Sequence, residues 1–294
     1  MSSTGASVSS QAMAAIVPKR RFRIQRDLVI CLMLGVLGFV TFVPVIMLVQ
    51  LSFKNEQQMA DSMWLPSWPL RFGNYDKASR IMGPYMLNSL LFVVGTVTVS
   101  IVFSTLSAYA LGRYDYPGKE FLFMAILGLM MIPGILTLLT RFTVLLSLNL
   151  NNTYAGVWLP LAAGAQPFQI IVLRTFFASI PEEFFEAARL DGASEKRMLV
   201  AIALPLAKPI MTTLIILQCH GVWNQYVWPM MVFRDPARYP AILGILLLRQ
   251  LIYGYRDPGT EFAGYVITCL PLLLLFTLSS RAFIRGLTSG AIKM

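Results

Sequence analysis

The sequence predicts an all-α polytopic membrane protein with six transmembrane helices. Three observations carry that expectation: an excess of apolar residues, a shortage of charge, and apolar runs of span length at intervals along the chain. Of 294 residues, 56% are hydrophobic and 13% charged, with a mean hydropathy of +0.66. A soluble domain is about 45–50% apolar with glycine counted, and about 25% charged. The chain is too long and apolar for a disulfide-stapled mini-protein and too poor in charge and low-complexity sequence for a disordered one. A formal net charge of +10 would suit nucleic acid. The basic residues, however, stand in small groups between apolar blocks, as loop charges do, so no nucleic-acid partner is expected.

A hydrocarbon layer of about 30 Å needs about 20 apolar residues as helix, because lipid cannot hydrate an unpaired peptide group. Six stretches meet that requirement, at about 28–51, 86–111, 121–146, 154–177, 209–233 and 262–284. A shorter run, Ala241 to Ile252, lies between Arg238 and Arg256 and reads as a re-entrant or interfacial helix. Residues 1–27 form a cytoplasmic N-terminus, small and polar enough over its first eighteen residues to stay disordered and then basic, 28–284 the six-span domain, and 285–294 a cytoplasmic C-terminal tail. Lys19, Arg20, Arg21, Arg23 and Arg26 directly precede the first span, which places the N-terminus in the cytoplasm by the positive-inside rule. No small-residue cleavage site follows that span, so it is expected to stay as an anchor. Six crossings return the C-terminus to the same side.

The most informative segment is the inner loop 178–208. Ser179 and Glu182 have capping-box spacing, with Pro181 between them in the first turn of a short helix. Glu182 and Glu183 suit the positive end of its dipole, and Gly192 supplies a left-handed stop. Phe184, Ala187 and Ala188 fall on one face, and Glu186 and Arg189 can pair at i, i+3. Such a helix suits either a groove in another protein or the inner leaflet surface.

Glu186-Ala187-Ala188, then Gly192 after three residues, then Ile202, Leu204 and Pro205, resembles the EAA loop of ABC importer permeases. Asp191-Gly192-Ala193 is similar to the carbohydrate-uptake branch in particular. So are Asn88-Ser89, the stretch Ala108 to Gly118, Met131-Ile132-Pro133, Asn152-Thr153-Tyr154, Trp223-Asn224, Trp228-Pro229 and the tail Arg285 to Lys293. The length and tail resemble the shorter, maltose-type permease subunit. The resemblance implies a type I importer permease fold with a cytoplasmic coupling helix, seated in the bacterial inner membrane. It also implies a second, homologous permease subunit, two ABC ATPase subunits, an extracytoplasmic solute-binding protein and a carbohydrate substrate, moved by alternating access. Glu186, Ala187, Ala188, Asp191 and Gly192 would couple this chain to the ATPase.

The chain carries no chemistry of its own for such a cycle. Gly112 to Lys119 has the wrong spacing for a P-loop, is interrupted by Pro117 and is followed by Glu120, so ATP and Mg are expected on the partner ATPase subunits and no cofactor or metal on this one. The single histidine, His220, has no nucleophile motif beside it and reads as a helix-packing residue, or else as one facing the path. Cys31, Cys219 and Cys269 lack metal-ligand spacing and read as small buried hydrophobes. Trp223, Asn224, Gln225 and Tyr226 combine aromatic faces with amides, as sugar sites do, although membrane interfaces and helix packing use the same residues. Arg141 either snorkels to the membrane surface or offers a counter-charge to an anionic sugar. The other function class consistent with an apolar chain is a stand-alone secondary carrier or polytopic membrane enzyme.

Overall fold

The structure, a computed structural model, describes residues 20–253 and 257–291, with the side chains of 27–250 and 257–279. The small-residue segment expected to be disordered, up to Lys19, and the last residues of the tail lie outside the described residues. The chain divides into two units, residues 1–50 and 51–294. The first is described by helix α1, Arg20–Ser52, which begins within the basic cluster rather than at Leu28. Its described residues up to Gln50 are exposed or half-exposed and apolar on every side. That pattern is the mark of a helix solvated by lipid.

The second unit contains α2 (Glu56–Asp61), α3 (Gly73–Arg113), α4 (Lys119–Met130), α5 (Leu138–Ser147) and α6 (Tyr154–Ala178). It continues with α7 (Glu183–Leu190), α8 (Glu195–Met198), α9 (Leu204–Trp223), α10 (Val227–Val232), α11 (Ala241–Tyr253) and α12 (Pro258–Ala291). Among the described residues five helical runs are long and apolar enough to cross a membrane: α1, α3, α6, α8 through α9, and α12. The predicted third span, 121–146, is instead two helices, α4 and α5, separated by a turn over 131–137. Pro133 has no N–H to continue α4, and Gly134 follows it, so the ladder stops there. The predicted fifth span is displaced: the helix runs to Trp223, breaks at Asn224–Tyr226 and resumes as α10. α12 extends through most of the predicted tail. The short run at 241 forms α11 as expected.

α3 is the axis of this unit, packing along α6 and against α9, α11 and α12. Three apolar clusters are strung on it. Met82 packs with Ala241 and Leu248. Phe92 packs with Leu145, Val157, Trp228 and Phe233. Tyr109 packs with Leu173, Phe177, Phe185, Met198 and Ala207. Between the clusters, small residues let α3 and α6 approach, and polar bonds register them. Ser100 Oγ donates to Gln169 Oε1 at 2.7 Å, and Gln166 Nε2 donates to the Ser100 carbonyl at 3.0 Å. With no hydrophobic drive between helices in lipid, close packing and such bonds carry the association.

Asn88 is buried and donates from Nδ2 to the carbonyls of Ala237 (2.8 Å) and Tyr239 (3.1 Å), while the Ser89 hydroxyl accepts from the Ala241 amide at 2.8 Å. These adjacent side chains fasten the loop before α11 to α3. Trp228 Nε1 similarly donates to the Gly156 carbonyl at 2.9 Å. The three cysteines are not the buried hydrophobes expected: Cys31 and Cys269 are exposed and Cys219 half-buried. In a chain whose outer face is itself apolar, a small hydrophobe has no need of the interior. Replacing Asn88 with alanine strands two carbonyls, a loss of about 1–3 kcal/mol. The expected result is a lower melting temperature in detergent and faster proteolysis between residues 234 and 240, with unchanged helix content by circular dichroism.

Candidate functional site

The inner-loop helix α7 forms where expected, and its stop is well defined. Gly192 adopts φ +75°, its amide donates to Arg189 O at 3.0 Å, and the Ala193 amide donates to Ala188 O at 2.9 Å. This is a Schellman motif, in which the left-handed residue turns the chain and satisfies the last carbonyls. Ser194 then caps α8, accepting from the Arg197 amide at 3.4 Å. After α8 the ladder widens into a π turn over Leu199–Ala203 before α9. Pro205, which has no N–H to offer the preceding turn, follows directly.

Two details at the start of α7 differ from expectation. No capping box forms: Ser179 Oγ donates back to Phe176 O at 2.8 Å, and Glu182 precedes the helix without a side-chain cap. Arg189 pairs with Glu182 at 2.8 Å and not with Glu186. Of the face expected from Phe184, Ala187 and Ala188, the first two are exposed, Phe184 at 54%, and the buried aromatic beside them is Phe185. One arginine accounts for the position of Glu182 and for the buried ring. Arg113, at the end of α3, lies with its guanidinium 3.8 Å over the centre of the Phe185 ring. It donates to the Ile180 carbonyl at 3.1 Å and pairs with the Glu182 carboxylate. Glu182 thus bridges Arg113 and Arg189, and drawing Phe185 under Arg113 turns Phe184 outward.

The hydrogen bond from Arg189 holds the Glu182 carboxyl below its usual range, outweighing partial burial, and the charge of Arg113 adds to the effect. Next to it the Tyr114 hydroxyl donates to Glu195 at 2.9 Å. Burial and that bond push the phenol up to about 12. Arg113, Tyr114 and Phe185 are the residues that sequence reasoning left without roles. The available signal was a lone arginine and tyrosine closing an apolar span.

What remains outward on α7 is mixed. Glu183, Phe184, Glu186, Ala187 and Leu190 are all exposed, Leu190 at 90%, and Ala188 is half-buried against the Tyr109 cluster. Asp191 and Gly192 are exposed at the stop. A short, firmly held helix therefore presents an apolar ridge flanked by carboxylates.

The other predicted residues do not gather in one place. Trp223 is buried, and Asn224 Nδ2 donates to the His220 carbonyl at 2.9 Å at the end of α9. His220 is exposed rather than packed inside. Tyr226 is half-exposed at the helix break. Gln225 and Arg141 do converge, on one cavity of about 250 Å³ that Gln218, Gly164 and Gly221 also line. Trp223 and Tyr226 are not among the lining residues.

A family model described as "Binding-protein-dependent transport system inner membrane component" matches residues 118–291. The probable ABC transporter permease YurM of Bacillus subtilis is 32% identical over 253 residues, spanning 85% of this chain and 83% of its own. The arabinooligosaccharides transport permease AraQ of Halalkalibacterium halodurans is 35% identical over 206 residues, spanning 70% and 72%. The fold is shared with a chain of a bacterial ABC transporter involved in import of the acidic polysaccharide alginate. The TM-score is 0.79 at 22% identity, covering 91% of this chain and 99% of that one.

Because Glu182 is held below its free value of 4.5, the order it contributes is complete above that pH and is lost as pH falls through the lower, folded-state value. Hydrogen exchange over residues 180–193, corrected for intrinsic rates, is expected to accelerate as pH drops below 4.5. In Glu182→Gln the segment is expected to exchange fast at every pH. Equal protection of the two proteins at neutral pH would contradict the bridge. Relatives in this group are transport permease subunits, which leaves the stand-alone carrier and the membrane enzyme without support. From its helices and its matches alike, the chain is a multi-pass membrane protein and belongs to the inner membrane component family of binding-protein-dependent transport systems.

Proposed function

We propose that this chain is a translocation subunit of a bacterial ATP-driven carbohydrate importer, non-catalytic itself and driven through α7. The observation that carries the reading is the outward face of α7: Phe184, Ala187 and Leu190 as a ridge, with Glu183 and Glu186 beside it, on a helix clamped to α3 through Arg113. Exposed apolar groups on a helix too short to stand alone mark a surface meant to be covered. Two ATPase subunits, which bind and hydrolyse ATP with Mg, supply the covering groove, one for this chain and one for a second, homologous permease. An extracytoplasmic binding protein delivers the substrate, as the family description implies.

In this reading Glu186 orients the helix in the ATPase cleft. Ala187 and Ala188 let the two backbones approach, and Asp191 and Gly192 let the chain leave the cleft. Closure of the ATPases displaces α7, and the Arg113 clamp passes that displacement to α3. α4 and α5 together make one crossing, so there are six, and both termini lie on one side. Arg20, Arg21, Arg23 and Arg26 before the apolar run of α1 support a cytoplasmic side for them, and hence for α7. Carbohydrate as substrate is supported by the names of the arabinooligosaccharide and alginate systems. Gln225, Asn224, Tyr226 and Trp223 lie at or beside the break after α9, and Arg141 lines the same cavity as Gln225.

In proteoliposomes holding the four-subunit complex, Glu186→Lys or Gly192→Pro is expected to lower sugar uptake at least tenfold while the complex still assembles. Proline at 192 cannot take the left-handed conformation of the stop. Normal stimulation of ATP hydrolysis by the loaded binding protein in either assembled variant would remove α7 from the coupling role.

A further inference from the structure

The cavity between α5, α6 and α9 contains a charge without a counter-charge. Arg141 is half-buried, and no carboxylate pairs with it among the described residues. It is held only by neutral acceptors. Nε and Nη2 both donate to Thr137 Oγ1, at 2.9 and 2.6 Å, and Nη2 donates to the Gly134 carbonyl at 3.3 Å. A guanidinium has five N–H donors. These bonds occupy the three on Nε and Nη2 and fix the plane of the group. The two on Nη1 meet no acceptor among the described residues. Nη1 lies beside α6 at Gly164, where an added Cβ would come within 3.8 Å of it. A larger side chain there would reach further toward the guanidinium, so glycine keeps this side of the cavity open.

Arginine stays charged at any pH a protein meets, and placing it within a transmembrane segment is costly, which makes such a residue functional by default. Snorkelling would carry the guanidinium along the helix toward water. Here it is instead turned back onto Thr137 and Gly134, at the start of α5 and in the turn before it, and lines an open, partly polar pocket. The neighbours on that space, Gln218 and Gln225, bring amides that bond neutral hydroxyls. One oriented cation, two unspent donors and two amides make a recognition set for a polyol with a negative group. At about 250 Å³ the space is below the roughly 300–1,000 Å³ that holds drug-sized ligands, so its walls contact about one ring of a sugar, and its open side leaves room for the remainder of a longer chain.

We infer that Arg141 is a specificity-determining residue that binds the anionic group, carboxylate or phosphate, of an acidic sugar passing through this cavity. The inference rests on the importer reading above and adds the charge of the substrate to it. The probes are a uronate-terminated disaccharide, its neutral methyl ester and a sugar phosphate, each offered to the complete complex with its binding protein in phosphatidylcholine liposomes. For the wild type, ATP-dependent uptake of the uronate or the phosphate is expected to exceed that of the ester, and whichever anion is taken up names the group. In Arg141→Gln the KM for that anion is expected to rise at least tenfold, with the ester changed less than twofold and Arg141→Lys in between. Equal shifts for anion and ester, or wild-type uptake of neutral sugar alone, would overturn the assignment while leaving the importer reading intact. Failure of the assembled wild type to take up any sugar with ATP would overturn the importer reading itself.

Discussion

A helix of eight residues can transmit force only if something stiffer holds it, and in this chain the holder is Arg113. Its guanidinium lies over the Phe185 ring, bonds the Ile180 carbonyl and pairs with Glu182, so the end of a 41-residue helix grips α7 at its first turn and at two residues leading into it. Only 8% of the Arg113 side chain is exposed, so the pairing is partly shielded from water and salt. A shielded charge must be fully partnered or it destabilises what surrounds it. The aromatic face, the carbonyl and the carboxylate together meet that demand. The rest of the arrangement follows: Phe184 turns outward, Glu182 is left to bridge to Arg189, and the exposed ridge is set in a fixed direction relative to α3.

α3 in turn connects this end to the remainder of its unit. The three apolar clusters lie along its length in the order Met82, Phe92 and Tyr109, and each recruits a different set of partner helices. α7 is thus connected to α6 and α9 through the packing of α3 as well as directly. The π turn at Leu199–Ala203 lies between α8 and α9, where a second connection would otherwise be continuous helix. Wide turns of this kind give a helix room to bend. The connection through Arg113 to α3 and the one through the π turn to α9 leave the same segment by different paths.

Much of this was legible in the residues, and the failures have physical causes. The helix at 183–190 and its left-handed stop were visible because capping and glycine chemistry are local. The capping box was misread because Ser179 had a nearer acceptor in the last turn of α6, which spacing alone does not reveal. The burial of Phe185 depended on where Arg113 ends its span, seventy-odd residues earlier, and no periodicity within the loop encodes that. Asn88 and Ser89 stood out by resemblance, but their partners lie about 150 residues away, so their use as a fastening emerged only in three dimensions. Arg141 was conspicuous as a charge in an apolar run, whereas its convergence with Gln225 required the break after α9.

The turn over 131–137 also separates two quantities that a hydropathy profile treats as one. Insertion into a bilayer responds to the summed transfer free energies of side chains, and on that measure residues 121–146 read as a single crossing. Folding responds to peptide groups, and there the same stretch contains the end of one helix and the start of another. Met131, Ile132, Ile135 and Leu136 are exposed around that interruption, so the segment is greasy enough to enter lipid and yet has amides and carbonyls that lipid cannot satisfy. Biogenesis and function thus place opposite demands on one short stretch. The side chains get it across the membrane, and the backbone then requires a neighbouring protein surface or an aqueous passage beside it.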